Sequence, residues 1–253
     1  MKLKFYFIGH RGTRVDYDEN TLIAFEKAFK FGANYIEFDV RKNRDGKLFV
    51  IHDNSIDRTT HGTGLLKELS LAKIMNYKTK NNRQNISQLS EVLTVFQNKI
   101  KFMIELKEQN LRTDVLNTVI KRVSIKDCIF SGNDIKELEL IKAECPKTKV
   151  CYNITKGKDL TLSEFLVFEH KKPFPFNIDM ISLRSSMITP EFITTCQKNH
   201  IKALSWDFLG YENPINKIQS LINMGIDGIL FDNYKNIYEI KKWLNYHALK
   251  NKN

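Results

Sequence analysis

Between residues 5 and 53, three short apolar runs, 5–8, 35–40 and 48–51, each carry groups able to do chemistry: His10-Arg11 just past the first, Glu37 and Asp39 within the second, His52-Asp53 just past the third. Glu37 and Asp39 stand two apart, so on a strand their side chains share one face. Two carboxylates on one face of a buried strand repel and call for a cation. Glu105, on a later run at 101–106, is followed two residues on by Lys107 on the same face. Three carboxylates at strand ends suit a hard, oxygen-preferring divalent ion, Ca2+ or Mg2+. Taken one at a time they read as strand-end ion pairs, Glu37 with Arg41 or Glu105 with Lys107.

His10 and His52 shift that balance. Each is followed at once by a charged residue, each sits at the end of an apolar run, and together they flank the Glu-x-Asp run. Histidine titrates near neutrality, so one can act as base while the other acts as acid on a leaving oxygen. Phosphodiester cleavage needs those two roles and positive charge on the non-bridging oxygens, for which Arg11, Lys107 and a metal are available. The planar fork of Arg11 suits bidentate contact with phosphate oxygens.

The elements that must hold these residues follow from periodicity. Asn20 or Thr21 can cap a helix through Leu22, Ala24-Phe25 and Ala28-Phe29, ended by Gly32. Asp45-Gly46 is a hairpin-type turn into 47–51, a strand set to pair antiparallel or to extend a loop. Residues 53–100 form a long irregular connection, with turn-rich 59–64, a helical turn or two at 69–74 and a helix at 86–96. Strand-like runs at 101–106, 128–131, 150–154, 180–183, 201–206 and 228–231 then alternate with helices near 112–122, 133–144, 161–170, 190–199, 214–224 and 234–248. With 5–8 and 35–40 these make eight strands in strand–helix alternation, which implies a parallel sheet with right-handed crossovers. Eight repeats over 253 residues, with no GxGxxG turn after the first strand, predict an α/β fold of the (β/α)8 TIM barrel type, with a small hairpin and loop insertion after the second barrel strand. No Pro/Gly/Ser linker divides the chain, so 1–253 reads as a single barrel domain with 53–100 as its active-site loop region.

Composition bounds the class. Hydrophobic residues at 42% and charged residues at 27% allow a sizeable core. The net charge of +11 favours anionic ligands, although the lysines are spread along the chain rather than clustered. There is no basic-aromatic array and no nucleic-acid-binding motif, so a nucleic-acid partner is not expected. Cys128, Cys145, Cys151 and Cys196 form no CxxC pair and read as reduced structural thiols. Met1-Lys2-Leu3-Lys4 leads straight into the first strand, without the apolar run of a signal peptide, and no segment has the length of a membrane span. The expectation is a cytoplasmic protein acting on a small molecule, with no stable membrane insertion.

These motifs, taken in order, resemble the glycerophosphodiester phosphodiesterase family. The similarity rests on His10-Arg11-Gly12, Glu19-Asn20-Thr21, Ala24-Phe25, Gly32-Ala33 with Ile36-Glu37-Phe38-Asp39-Val40, Asp45-Gly46, His52-Asp53 and Arg58-Thr59-Thr60-His61-Gly62-Thr63-Gly64. Downstream it continues through Glu105-Leu106-Lys107 and Gly225-Ile226-Asp227-Gly228-Ile229-Leu230-Phe231-Asp232. The resemblance implies a TIM-type barrel hydrolysing glycerophosphodiesters to glycerol 3-phosphate and an alcohol. At the matching positions it implies that His10 and His52 are the acid/base pair and that Glu37, Asp39 and Glu105 hold a divalent metal, Ca2+ or Mg2+. Arg11 and Lys107 match the cations that contact phosphate.

The chain departs from the family pattern in places. Asp18 stands where the family usually has proline, which is expected to loosen a turn without removing a functional group. Around Trp206-Asp207 the family's usual Trp-Thr followed by Val and Asn is replaced; Trp206 is expected to line the substrate site, with a barrel-core indole as the alternative, and Asp207 to alter what the leaving-group side tolerates. His61, His170, His200 and His247 read as surface residues, and Ser131 and Asn133 as helix-capping residues before ligand contacts. The basic tail from Lys241, with Trp243 and Tyr246, reads as a helix packed on the first one rather than a membrane anchor. One alternative activity on the same fold is a lysophospholipase D or sphingomyelinase D-like reaction, for which Phe168, Phe174, Phe176 and Phe208 could line an apolar groove. Another is a non-catalytic barrel that binds a phosphorylated ligand.

Overall fold

The computed structural model describes residues 5–168 and 174–250. Eight parallel strands, β1 (Tyr6–Gly9), β2 (Tyr35–Lys42), β4 (Lys101–Leu106), β5 (Cys128–Gly132), β6 (Lys149–Asn153), β7 (Met180–Arg184), β8 (Lys202–Trp206) and β9 (Gly228–Phe231), pair in succession. β1 also pairs with β2, so the sheet closes into the TIM barrel that the strand–helix alternation predicts. The short β3 (Leu48–Val50) turns back antiparallel on β2, Val40 opposite Val50, and is the expected hairpin insertion.

Residues two apart on a strand face the same side, and this chain sorts the two sides by chemistry. Ile8, Tyr35, Met103, Ile129, Cys151, Met180, Leu204 and Leu230 fall in one small apolar cluster inside the barrel. Two positions further along each of these strands the residues are His10, Glu37, Glu105, Ser131, Asn153, Ser182, Trp206 and Asp232. A packed apolar plug thus closes the barrel below, and a ring of polar side chains opens at the strands' C-terminal ends, where TIM barrels build their sites. The alternate residues, among them Phe38, Phe102, Phe130 and Ile181, point outward into a larger core shared with the helices. Each fully buried phenylalanine there contributes roughly 2 kcal/mol over an exposed one.

Helices α1 (Leu22–Lys30), α4 (Arg112–Ile120), α5 (Ile135–Glu144), α7 (Pro190–Lys198), α8 (Pro214–Met224) and α9 (Tyr234–Lys250) fall where the periodicity placed them. Thr21, not Asn20, caps α1, its hydroxyl accepting from Ala24 N, and Gly32 follows the helix at φ +98°. Helix α6 (Leu162–Leu166) is shorter than the predicted 161–170, whose last residues, including His170, lie outside the described residues.

In the 53–100 connection, α2 (Leu71–Met75) matches the expected turn, while α3 (Leu89–Phe96) begins three residues late. Residues 86–88 are held extended against β3: Val50 N donates to Ser87 O at 2.8 Å and Gln88 bridges to Phe49. This connection has its own apolar cluster, including Phe49, Ile56, Leu66 and Ile74. Along α9, Ile237 and Ile240 are buried, Leu244 packs on the main core, and the helix touches α1 and α8. The four cysteines are free. Among the described residues, no helix is long and apolar enough to cross a membrane.

Candidate active site

The polar ring surrounds a cavity of about 330 Å³, lined by His10, Arg11, His52, Glu105, Lys107 and Trp206 among others. All eight residues singled out from the sequence converge here: those six line the cavity, and Glu37 and Asp39 lie buried beside Glu105. The convergence follows from strand pairing, which sets Asp39 opposite Glu105 across β2 and β4.

Each histidine is held by a carboxylate. His10 Nδ1 lies 2.7 Å from Asp232 Oδ1, and His52 Nδ1 lies 2.7 Å from Asp53 Oδ1. With Nδ1–H donating to the carboxylate, Nε2 is the nitrogen left to exchange a proton with a ligand. Burial pushes the Asp232 carboxyl up, but His10, Phe208 N at 2.6 Å and Arg14 at 3.1 Å outweigh it and bring it down to about 2. Asp53 is likewise at about 2, burial opposing and the bonds from Arg58 and His52 prevailing. For His52 the balance runs the other way: burial, with Arg11 and Lys107 nearby, lowers it below 6.5 despite Asp39 and Asp53.

Oxygens of Glu37, Asp39 and Glu105 lie within 4.8 Å of one another. Glu37 Oε2 accepts from Arg11 N at 2.8 Å, while Oε1 is buried without a partner. Burial and the charges of Asp39 and Glu105 push the Glu37 carboxyl well above its ordinary value. Asp39 is also buried, yet Arg11, Lys107, His52 and the Asn20 amide at 2.9 Å hold it well below the usual carboxylate range. Lys107 Nζ sits 2.8 Å from Glu105 Oε1 and 3.5 Å from Asp39 Oδ1, so one cation already bridges two of the three acids. Oxygens sharing one divalent ion at about 2.1–2.6 Å can lie up to about 4–5 Å apart, and the orphaned Glu37 Oε1 is an acceptor without a donor. The residues fit a hard cation.

A network joins these parts. Glu19 meets Arg11 at 2.8 Å, Arg58 at 2.6 Å and Arg14 at 3.6 Å, and despite its burial these cations bring its carboxyl down to about 2. Charges alternate from His10 through Asp232, Arg14, Glu19, Arg58 and Asp53 to His52. A branch runs from Glu19 through Arg11 to Asp39. Buried networks of this kind fix side-chain positions, and removing one partner leaves an uncompensated charge. The loop that carries them is tightly made: Arg11, Gly12 and Asn20 all have positive φ, and a Cβ on Gly12 would lie 2.6 Å from the Ala24 carbonyl carbon.

Several expectations are corrected. Two nitrogens of Arg11 face carboxylates, Nη1 donating to Glu19 at 2.8 Å and Nε lying 3.3 Å from Asp39, so the guanidinium is also part of the acid network. Glu105 does pair with Lys107, but Arg41 pairs with Glu108 and the His52 carbonyl rather than with Glu37. Asp18 does not loosen its turn. Its carboxylate accepts from Asn82 N at 2.6 Å, Asn81 N at 3.1 Å and the Asn81 amide at 2.7 Å, tying the loop before Glu19 and Asn20 to the far connection.

Asp134, not Asn133, caps α5, and Ser131 Oγ lies buried and unpartnered at the cavity. Phe168, Phe174, Phe176 and Phe208 do not line it: the first three stack with one another and Phe165, and Phe208 is buried in the core. Of the 53–100 connection, only Asp53 and Arg58 reach the cavity. His61, His200 and His247 are exposed, as expected.

Asp232, Glu19, Arg14 and Arg58 were missed as site residues. Asp232 and Glu19 belong to quoted motifs, but Asp232 meets His10 and Arg14 only through barrel closure, and Glu19 meets Arg58 only through the fold of the 53–100 connection. Residues 10–236 match the Glycerophosphoryl diester phosphodiesterase family model. A glycerophosphodiester phosphodiesterase from Caldanaerobacter subterraneus subsp. tengcongensis is 28% identical over 91% of this chain and 95% of its own length. The solved glycerophosphodiester phosphodiesterase of Thermotoga maritima superposes with a TM-score of 0.74 at 25% identity, over 92% of this chain and 97% of that one. An Oleispira antarctica phosphodiesterase, solved in complex with the product sn-glycerol-3-phosphate, shares the fold with a TM-score of 0.76 at 22% identity, over 92% of this chain and 94% of that one.

Proposed function

Because the chain belongs to the glycerophosphoryl diester phosphodiesterase family, we propose that it hydrolyses glycerophosphodiesters to glycerol 3-phosphate and an alcohol, with His10 and His52 as the proton-transfer pair. The observation that carries this reading is the convergence of two carboxylate-held histidines and a three-carboxylate cluster on one cavity. Glu37, Asp39 and Glu105 would hold a divalent metal, Ca2+ or Mg2+, which when bound supplies positive charge to the phosphoryl oxygens.

The remaining roles fall to the chain's own residues. His52, whose burial favours the neutral ring, accepts at Nε2 the proton of the attacking oxygen. His10, held through Nδ1 by the ionised Asp232, donates a proton from Nε2 to the leaving oxygen. As one P–O bond forms, the bond to the alcohol breaks, and the alcohol departs neutral at that oxygen. Lys107 and Arg11 offer charge to the phosphate, and Trp206 forms a wall beside His10, ring centroids 6.2 Å apart. We read the barrel as one catalytic domain. Among the described residues, the cavity's apolar lining is Met103, Trp206 and Leu230, which favours deacylated substrates over a lysophospholipid. A non-catalytic binder of phosphate would have no use for two histidines each held by a carboxylate.

Initial rates of glycerol 3-phosphate release across pH test the assignment. A base must be unprotonated, and His52 is lowered from 6.5, so kcat/KM should hold as pH falls through 6.5 and drop only below it. An acid limb centred above 7 would contradict His52 as the base.

A further inference from the structure

The wall formed by β5 to β8 has a different character from the rest of the cavity. On the side of His10, Arg11, His52 and the acids each buried cation meets a carboxylate, and Glu37 of the acid cluster keeps one unpartnered oxygen. Across the cavity stand polar atoms with no partner. Ser131 Oγ at the end of β5, Asn153 Oδ1 at the end of β6 and Trp206 Nε1 at the end of β8 are all inaccessible to solvent and unbonded, in residues that line the cavity. Ser131 is 1% exposed and Asn153 9%. A buried polar group left without a hydrogen bond is costly, so three on one wall mark places where a ligand supplies the partner. Together they offer an indole N–H donor, an amide acceptor and a hydroxyl able to do either, a set that matches alcohol groups.

Two cations stand at the same wall. The Arg184 guanidinium lies over the Trp206 ring, 5.0 Å from its centroid, and faces Asp207 at 3.3 Å. Lys156 also lines the cavity, and its ammonium has no partner among the described residues. With Asp207 already committed to Arg184, the wall has a net positive charge. Trp206 is the one aromatic residue among the cavity's described lining, and its face is taken by a guanidinium. A quaternary ammonium needs open aromatic faces or uncompensated acids. This wall offers neither.

Resting on the phosphodiesterase reading above, we propose that the β5–β8 wall is a subsite for a leaving alcohol that bears hydroxyl groups and a negative charge, such as a phosphorylated polyol, rather than a cationic alcohol such as choline. In a glycerophosphodiester the glycerol end is neutral and the scissile phosphate is common to every substrate, so a difference in charge facing Lys156 and Arg184 comes from the leaving alcohol. The bond changes are those of hydrolysis: water adds to phosphorus, the P–O bond to this alcohol breaks, and the alcohol oxygen gains a proton.

The test compares kcat/KM for bis(glycerophospho)glycerol, glycerophosphoglycerol and glycerophosphocholine, whose leaving alcohols are anionic, neutral and cationic, in the wild type and in Lys156→Gln/Arg184→Gln. The expected order is anionic, neutral, cationic, with the first about tenfold above the last, a gap that narrows as salt rises. In the double variant that ratio should fall to near unity. A merely structural role would lower all three rates together and leave the ratio alone, which would overturn the proposal. Glycerophosphocholine turned over as well as or better than the anionic diester would overturn the subsite while leaving the phosphodiesterase reading intact. No turnover of any diester with either metal would overturn both.

Discussion

Replacing His10 with alanine is expected to lower kcat by about 10³-fold, within the range of roughly 10²–10⁴ that one positioned acid or base contributes. The fold should survive. His10 is 5% exposed, and its loss leaves Asp232 with Arg14 Nη1 at 3.1 Å and Phe208 N at 2.6 Å, so the buried carboxylate keeps two partners. Asp232 touches His10 rather than the reacting atoms and is a positioning residue. Asp232→Asn should therefore cost less than His10→Ala. The double variant should be no slower than His10→Ala alone, because Asp232 has nothing to orient once the ring is gone. Additive losses would place Asp232 in a separate role, and a wild-type rate in His10→Ala would remove His10 from the reaction.

The second large effect concerns the acids. Glu37→Gln keeps the shape of the side chain but takes away one of three carboxylates within 4.8 Å. Activity should fall by about 10²-fold or more, since a bound cation's charge on the phosphoryl oxygens amounts to several kcal/mol. Stability should move the other way. In the metal-free protein, Glu37 is a buried carboxyl pushed well up by its surroundings, with Oε1 unpartnered, so the amide should melt no lower than the acid. Adding Mg2+ or Ca2+ at about 100 times its Kd should raise the wild-type Tm by roughly 5–10 °C and leave Glu37→Gln nearly unmoved. Equal shifts in both proteins would put the cation elsewhere.

Much of this molecule is legible in its sequence because TIM barrels repeat a local signal. Each strand is a short apolar run ended by a polar residue, and the eight positions two beyond the inner apolar layer can be read directly, from His10 to Asp232. What stays hidden is pairing across the closure. His10 and Asp232 are 222 residues apart and meet because β1 lies beside β9, Gly9 in register with Phe231. Glu19 draws Arg11 and Arg14 from its own loop and Arg58 from the connection thirty-nine residues on, a contact that only the folded loops create. Asn20 offers a reasonable helix cap by local rules, yet its amide is used to hold Asp39. Asp18 misleads because proline and aspartate are compared as turn formers, whereas this aspartate acts through bonds to Asn81 and Asn82, more than sixty positions away. The four phenylalanines mislead because hydrophobicity alone does not say whether a ring faces the cavity or the shell of helices.

The most direct test of the account is glycerol 3-phosphate release from glycerophosphoethanolamine before and after chelation, with Mg2+ and Ca2+ added back separately. The arrangement of Glu37, Asp39 and Glu105 predicts that release stops when the metal is stripped and returns with at least one of the two ions. Undiminished release from the fully chelated protein would contradict it.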